Sequence, residues 1–145
     1  VGQYKFGDLH DDDWKTECAQ RNIKLRQNIC DLDSIIYDVL EDGVWGKCFG
    51  NKVVINKRAV APTDTFLIKL IMYHELGHCA FDYRHSELGL DIMNSVLAEN
   101  KIIAYRWFWD ILKEDYFMRY ESPKHRSRLK KENGYGEVCI QSKTR

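Results

Sequence analysis

The chain has 145 residues, of which 44% are apolar, 12% aromatic and 30% charged; this is one domain's worth of folding polypeptide, with no room for a second sizeable core. Its 22 Lys and Arg balance 22 Asp and Glu, which excludes a global electrostatic pull toward nucleic acid or an anionic membrane surface. No apolar run is long enough for a transmembrane helix.

Residues 1–6 carry no charged-then-apolar signal pattern, and the lack of an initiator Met points to processing or trimming. Acidic residues 8–13 precede Trp14 and suit the positive end of a helix dipole, so a helix is expected over 11–28. Ile35, Ile36, Val39 and Leu40, followed by Gly43, predict a strand and a turn. Residues 44–56 predict two short strands: Cys48-Phe49, a corner at Gly50-Asn51, then the β-branched run Val53-Val54-Ile55. Pro62-Thr63-Asp64 opens a helix that Thr63 or Asp64 caps. Its buried face starts with Phe66, Leu67, Leu70 and Ile71, and the helix runs to about Phe81. Residues 82–93 read as an irregular loop. Ile103, Trp107 and Ile111, with Phe108 and Leu112 beside them, predict an amphipathic helix over 95–118 with that face in the core. From Ser122 onward the chain is polar and basic. The expected organisation is a single domain over 1–121 and a flexible basic tail over 122–145, ending in a short element near residues 138–140.

The five cysteines are odd in number, widely spaced and without a Cys-x-x-Cys pair. This argues against a disulfide framework and against a thiolate zinc knuckle, and favours a reduced, intracellular protein.

The informative segment is His74-Glu75-Leu76-Gly77-His78, on the helix expected after Pro62. Residues four apart share a helix face, so both imidazoles can address one metal ion. Glu75, one residue on, can take a proton from an activated water without being a ligand. Zinc suits neutral imidazoles in tetrahedral geometry. Gly77 between the two histidines leaves a gap in the helix surface into which another element can fit. A catalytic site needs a third protein ligand. His85 is the first candidate, because a helix end and tight reversal can bring it back over the metal, and Asp82 can adopt the left-handed backbone this requires. Glu99 is the competing third ligand and Asp91 a poorer one. The remaining histidines, His10 and His125, fall in terminal regions.

His74-Glu-Leu-Gly-His-Cys-Ala-Phe-Asp-Tyr-Arg-His85, followed by Leu90-Asp91-Ile92-Met93, resembles a metzincin-type zinc peptidase. It is most similar to small metallopeptidases encoded by tailed phages and some bacteria. The strand residues Gly46-Lys47-Cys48-Phe49 and Val53-Val54-Ile55 also resemble that group, so the likeness covers roughly residues 35–118. It implies an α+β fold, a minimal zincin: a small mixed sheet against the HExxH helix and a long C-terminal helix. It implies His74, His78 and His85 as ligands of one catalytic zinc ion, Glu75 as general base, and Met93 as the methionine of a turn beneath the imidazoles. The chain departs from the family pattern at two places. Phe81 stands where the helix-ending glycine falls, and Arg84 where the third histidine falls, so His85 is one residue late.

The activity expected is hydrolysis of peptide bonds in a protein or peptide substrate, as an endopeptidase. The alternative is a non-catalytic, zinc-stabilised structural or partner-binding module. Tyr83, Arg84 and Tyr105 are candidate donors to an oxyanion. Lys52–Asn56 is the candidate edge strand to which an extended substrate adds. Cys18, Cys48 or an N-terminal aspartate could block the metal in a latent form. The basic run Arg119, Lys124, His125, Arg126, Arg128, Lys130 and Lys131, with Trp107, Phe108 and Trp109 as bases for stacking, is a minor nucleic-acid alternative. The expected location is the host cytoplasm or the virion rather than the secreted space.

Overall fold

The structure is a computed structural model that describes residues 3–5, 12–25, 34–49, 52–87, 89–121 and 138–143. It is a mixed α+β fold. The elements run β1 (Gln3–Lys5), α1 (Asp12–Gln20), β2 (Ser34–Asp38), β3 (Val44–Phe49), β4 (Lys52–Asn56), α2 (Thr65–Phe81), β5 (Val96–Ala98), α3 (Ile102–Trp107), α4 (Trp109–Met118) and β6 (Val138–Lys143). Short 3-10 turns at Glu99–Lys101 and Arg119–Glu121 flank α3 and α4.

Among the described residues, six strands form one mixed sheet in the order β1-β2-β4-β3-β6-β5. β2 and β4 are parallel, as are β5 and β6; the other neighbours are antiparallel. The hairpin β3–β4 keeps an unbroken register from Gly46 opposite Ile55 to Phe49 opposite Lys52. Asn56, 1% exposed, ends β4 by hydrogen-bonding the turn before β3. Its side-chain nitrogen donates to the Val44 carbonyl (2.7 Å), and its oxygen accepts from the Leu40 amide (3.1 Å). Gly43 occupies that turn with φ +82°, a conformation that costs glycine little.

α2 lies between the sheet and α4. Asp64 caps it by accepting from the Leu67 amide at 3.2 Å, which satisfies a donor that a helix start leaves over. Every residue from Leu70 to Gly77 is buried, so α2 is a core helix with apolar neighbours all round rather than a surface helix with one wet face. β3 crosses it closely. A methyl group on Gly46 would lie 2.4 Å from Ile71 Cγ2 and 3.4 Å from Glu75 Oε2, so the missing side chain sets the distance between sheet and helix. A disulfide joins Cys48 of β3 to Cys79 of α2.

On the other side of α2 the core is aromatic and threaded by hydrogen bonds. Trp14 of α1 donates its indole N–H to Tyr116 Oη (3.0 Å), and Tyr116 donates to the Tyr73 carbonyl (2.6 Å). Tyr83 donates to the Tyr116 carbonyl at 2.6 Å. Burial pushes the Tyr116 hydroxyl well above its ordinary pKa, so it remains a donor. At the rim, Glu17 of α1 pairs with Lys113 of α4 and with Arg21. Burial alone would raise the Glu17 carboxyl, but the Lys113 and Arg21 cations outweigh it and hold the group below the usual range.

Several expectations need correction. The helix expected over 11–28 ends at Gln20, residues 21–25 turn away, and 26–28 lie outside the described residues. The helix expected over 95–118 begins as β5 and bends at Phe108 between α3 and α4. Its predicted core face is outward: Ile103, Trp107 and Ile111 are 66%, 80% and 68% exposed, and Phe108 is exposed too. The buried face is Tyr105, Trp109, Tyr116 and Phe117. Of the Trp107, Phe108, Trp109 cluster, only Trp109 is in the core, edge-on to Phe66 and Tyr73. The short element expected near residues 138–140 is the strand Val138–Lys143 of the sheet; Lys124, His125, Arg126, Arg128, Lys130 and Lys131 lie outside the described residues. Arg119 is no tail residue, because it pairs with Asp91 and Asp115. Lys52–Asn56 is not an edge strand, since β4 is flanked on both sides. The cysteines do not all stay reduced, and Cys48, being bonded, is no latent metal ligand. Cys18 is buried in the core and its thiol is pushed up to about 12 by that burial, which rules out a metal-blocking thiolate at neutral pH. No helix among the described residues is long and apolar enough to cross a membrane.

The contact at Gly46 yields a first test. Gly46→Ala is expected to cost about 1–3 kcal/mol in urea unfolding because the new methyl meets a buried Ile71. In a double-mutant cycle with Ile71→Ala the two costs should fall short of their sum. Strict additivity would show that the two elements do not meet there.

Candidate metal centre

The site begins with the helix end. The left-handed residue that stops α2 is Asp82, with φ +61° and ψ +27°. The Asp82 amide returns to the His78 carbonyl and the Tyr83 amide to the Gly77 carbonyl, at 3.2 and 2.9 Å. These bonds satisfy the last carbonyls of the helix and reverse the chain. Phe81 is still helical and fully buried. The extra residue between second and third histidines is therefore absorbed as one more residue of helix. His85 follows the left-handed Asp82 by three residues.

The reversal brings three imidazoles together. Ring centroids of His74 and His78 are 4.9 Å apart, of His74 and His85 5.2 Å, and of His78 and His85 4.7 Å. One nitrogen from each ring lies within 4.8 Å of the others, a group that could hold a metal ion. Two rings are oriented by backbone carbonyls. His74 Nδ1 meets the Ile92 carbonyl and His78 Nδ1 the Tyr83 carbonyl, both at 2.7 Å. A carbonyl only accepts, so each Nδ1 carries the proton and each Nε2 presents its lone pair. Each of the three Nε2 atoms is buried. Neutral imidazoles held in one tautomer by a backbone partner are the ligand chemistry zinc requires. The three nitrogens are placed so that they could hold a metal ion together.

The turn that supplies the Ile92 carbonyl is itself tied down. The Met93 amide donates to Asp91 Oδ1 at 2.8 Å, and the Asn94 amide to the Asp91 carbonyl at 3.1 Å. Tyr105 donates to that same carbonyl at 2.9 Å, and Arg119 pairs with the Asp91 carboxylate. The Ser86 amide, next to His85, donates to the Met93 carbonyl at 2.9 Å. Met93 is fully buried and lies against Gly77, where an added methyl group would come within 2.6 Å of its sulfur and 3.2 Å of Tyr116. The gap at Gly77 is thus filled by Met93 and Tyr116.

Glu75 is fully buried, on the side of α2 that faces β3. Asp91 is spent on the turn rather than on the histidines. Glu99 opens the 3-10 turn after β5, and its side chain lies outside the described residues. Of the proposed oxyanion donors, Tyr83 and Tyr105 give their hydroxyls to backbone carbonyls, and Arg84 is exposed. The carbonyls of Tyr83 and Ile92 and the ion pair of Arg119 went unseen in the sequence. A carbonyl belongs to every residue type, so only the path of the chain reveals it.

No family model, no curated protein and no solved structure matches the chain.

The third ligand can be tested directly. His85→Ala is expected to weaken zinc binding more than about 100-fold, beyond the usual loss of an orienting partner. Glu99→Ala should leave it unchanged in the same chelator competition. The reverse pattern would transfer the third ligand to Glu99.

Proposed function

We propose that this chain is a zinc-dependent metallopeptidase of metzincin-like design, hydrolysing peptide bonds in a protein or peptide substrate as an endopeptidase. The observation that carries the reading is the convergence of His74, His78 and His85, two of them locked by backbone carbonyls into the tautomer a metal needs. A zinc ion held by these rings would acidify a water and polarise the scissile carbonyl. Glu75 is the adjacent residue and the natural proton carrier. It accepts a proton from the attacking water and delivers it to the leaving amine. Met93 floors the site by fixing the close approach of the turn to α2 at Gly77. The disulfide between Cys48 and Cys79 fits a virion or another oxidising setting better than the reducing host cytoplasm.

The full burial of Glu75 supports a second reading, a zinc-stabilised module that does not cut. The two separate on one substitution. Glu75→Gln is expected to retain stoichiometric zinc and to lower cleavage of a peptide library about 10²–10⁴-fold. Equal cleavage by both proteins would remove Glu75 from the chemistry. A zinc-loaded wild type that cuts nothing, yet loses its fold on chelation, would establish the structural module.

A further inference from the structure

We propose that the outer face of α3 and α4 is the interface of a two-fold symmetric dimer of this chain. Ile103, Trp107, Ile111 and Met118 are all more than half exposed. Their spacing of four, four and seven residues sets them on one side of the helical segment. They gather in two shallow hollows set end to end. Ile103, Trp107 and Arg106 line the first, and Ile111, Met118, Asp110, Glu114 and Asp115 line the second. The four apolar side chains alone present roughly 500 Å² to water, at the upper end of what monomers leave open in one patch and over half of the about 800 Å² that each partner of a standard interface buries.

The charges on this face select its occupant. The first hollow carries a cation, Arg106, and the second carries carboxylates. A second copy of the chain, turned by a two-fold axis so that it runs antiparallel, lays its second hollow over the first. With the axis between Trp107 and Phe108, Ile103 of each copy lies against Ile111 of the other, and Arg106 against Asp110, so every contact forms twice. Arg106 and Asp110 are available for this pairing. They stand four residues apart, the usual interval for an ion pair on a helix. The bend at Phe108 falls between them, and no ion pair joins either one to another described residue. Arg106 lies over the Phe66 ring, 5.5 Å from its centroid. Glu114 and Asp115 are already paired with Arg21 and Arg119, which leaves Asp110 as the unbalanced carboxylate of the second hollow. A partner of one uniform charge would set like against like at Arg106 or at Asp110.

Sedimentation equilibrium tests the arrangement. The wild type at about 100 µM is expected to be a dimer, and Trp107→Glu a monomer with unchanged far-UV circular dichroism. Charge then decides the register. Arg106→Glu alone and Asp110→Arg alone should each weaken self-association about tenfold or more, because each sets like charges face to face twice. An equimolar mixture of these two variants should associate as the wild type does, since every contact between unlike copies then pairs opposite charges. A monomeric wild type, a dimer untouched by Trp107→Glu, or a mixture no tighter than its separate components would overturn the proposal. Should Trp107→Glu fail to fold, the two charge variants and their mixture decide alone. None of the three histidines, nor Glu75, takes part in this face, so the outcome is independent of the peptidase reading.

Discussion

A histidine ring offers one nitrogen to a metal reliably only while its other nitrogen is occupied. In this chain that condition is met by the peptide carbonyls of Ile92 and Tyr83. Both carbonyls stand where they do because α2 ends at a left-handed Asp82 and because Asp91 holds the turn that follows. The pairing of Arg119 and Tyr105 with Asp91 extends the same arrangement to α3 and the end of α4. The geometry of the histidine cluster is therefore a property of the whole helical layer. Residues far from the histidines set it, and they act through main-chain positions rather than through direct contact.

The parts of this arrangement that depend on residue type could be read from the sequence. The cap at Asp64, the helix through Phe81, the left-handed Asp82 and the hairpin around β3 and β4 each follow from local chemistry. So does the grouping of His74 with His78, which needs only helical spacing. The parts that depend on tertiary partners could not be read. The segment 102–118 has apolar residues on two faces, and periodicity cannot rank them. The face that went inward carries Tyr105 and Tyr116, whose hydroxyls reach the Asp91 and Tyr73 carbonyls. The purely aliphatic and indole face of Ile103, Trp107 and Ile111 has no such anchoring and stayed outside. Likewise, the short element expected near residues 138–140 is there as a strand, but its place between β3 and β5 could not be read, because a strand within a sheet needs only its backbone to pair.

The two sides of α2 do different work. Toward α1 and α4 the helix meets aromatic rings and buried tyrosine hydroxyls that donate to backbone carbonyls. Toward the sheet it meets Gly46, a strand with almost no bulk at the point of contact, and beyond it β6 in a faltering register. The packing against α4 keeps the histidine-bearing helix in place, and the missing side chain at Gly46 lets the sheet lie close on its other side.

The Cys48–Cys79 bond spans 31 residues and encloses all of β4 together with most of α2. Closing a loop of that size removes about 3–4 kcal/mol of chain entropy from the denatured ensemble at room temperature. Its influence is therefore greatest when the protein is not folded. A denatured molecule that keeps this crosslink still carries His74 and His78 on a short ring beside the strand they must rejoin. Refolding then becomes a search within a small circle of chain, and only His85 has to be found from outside it.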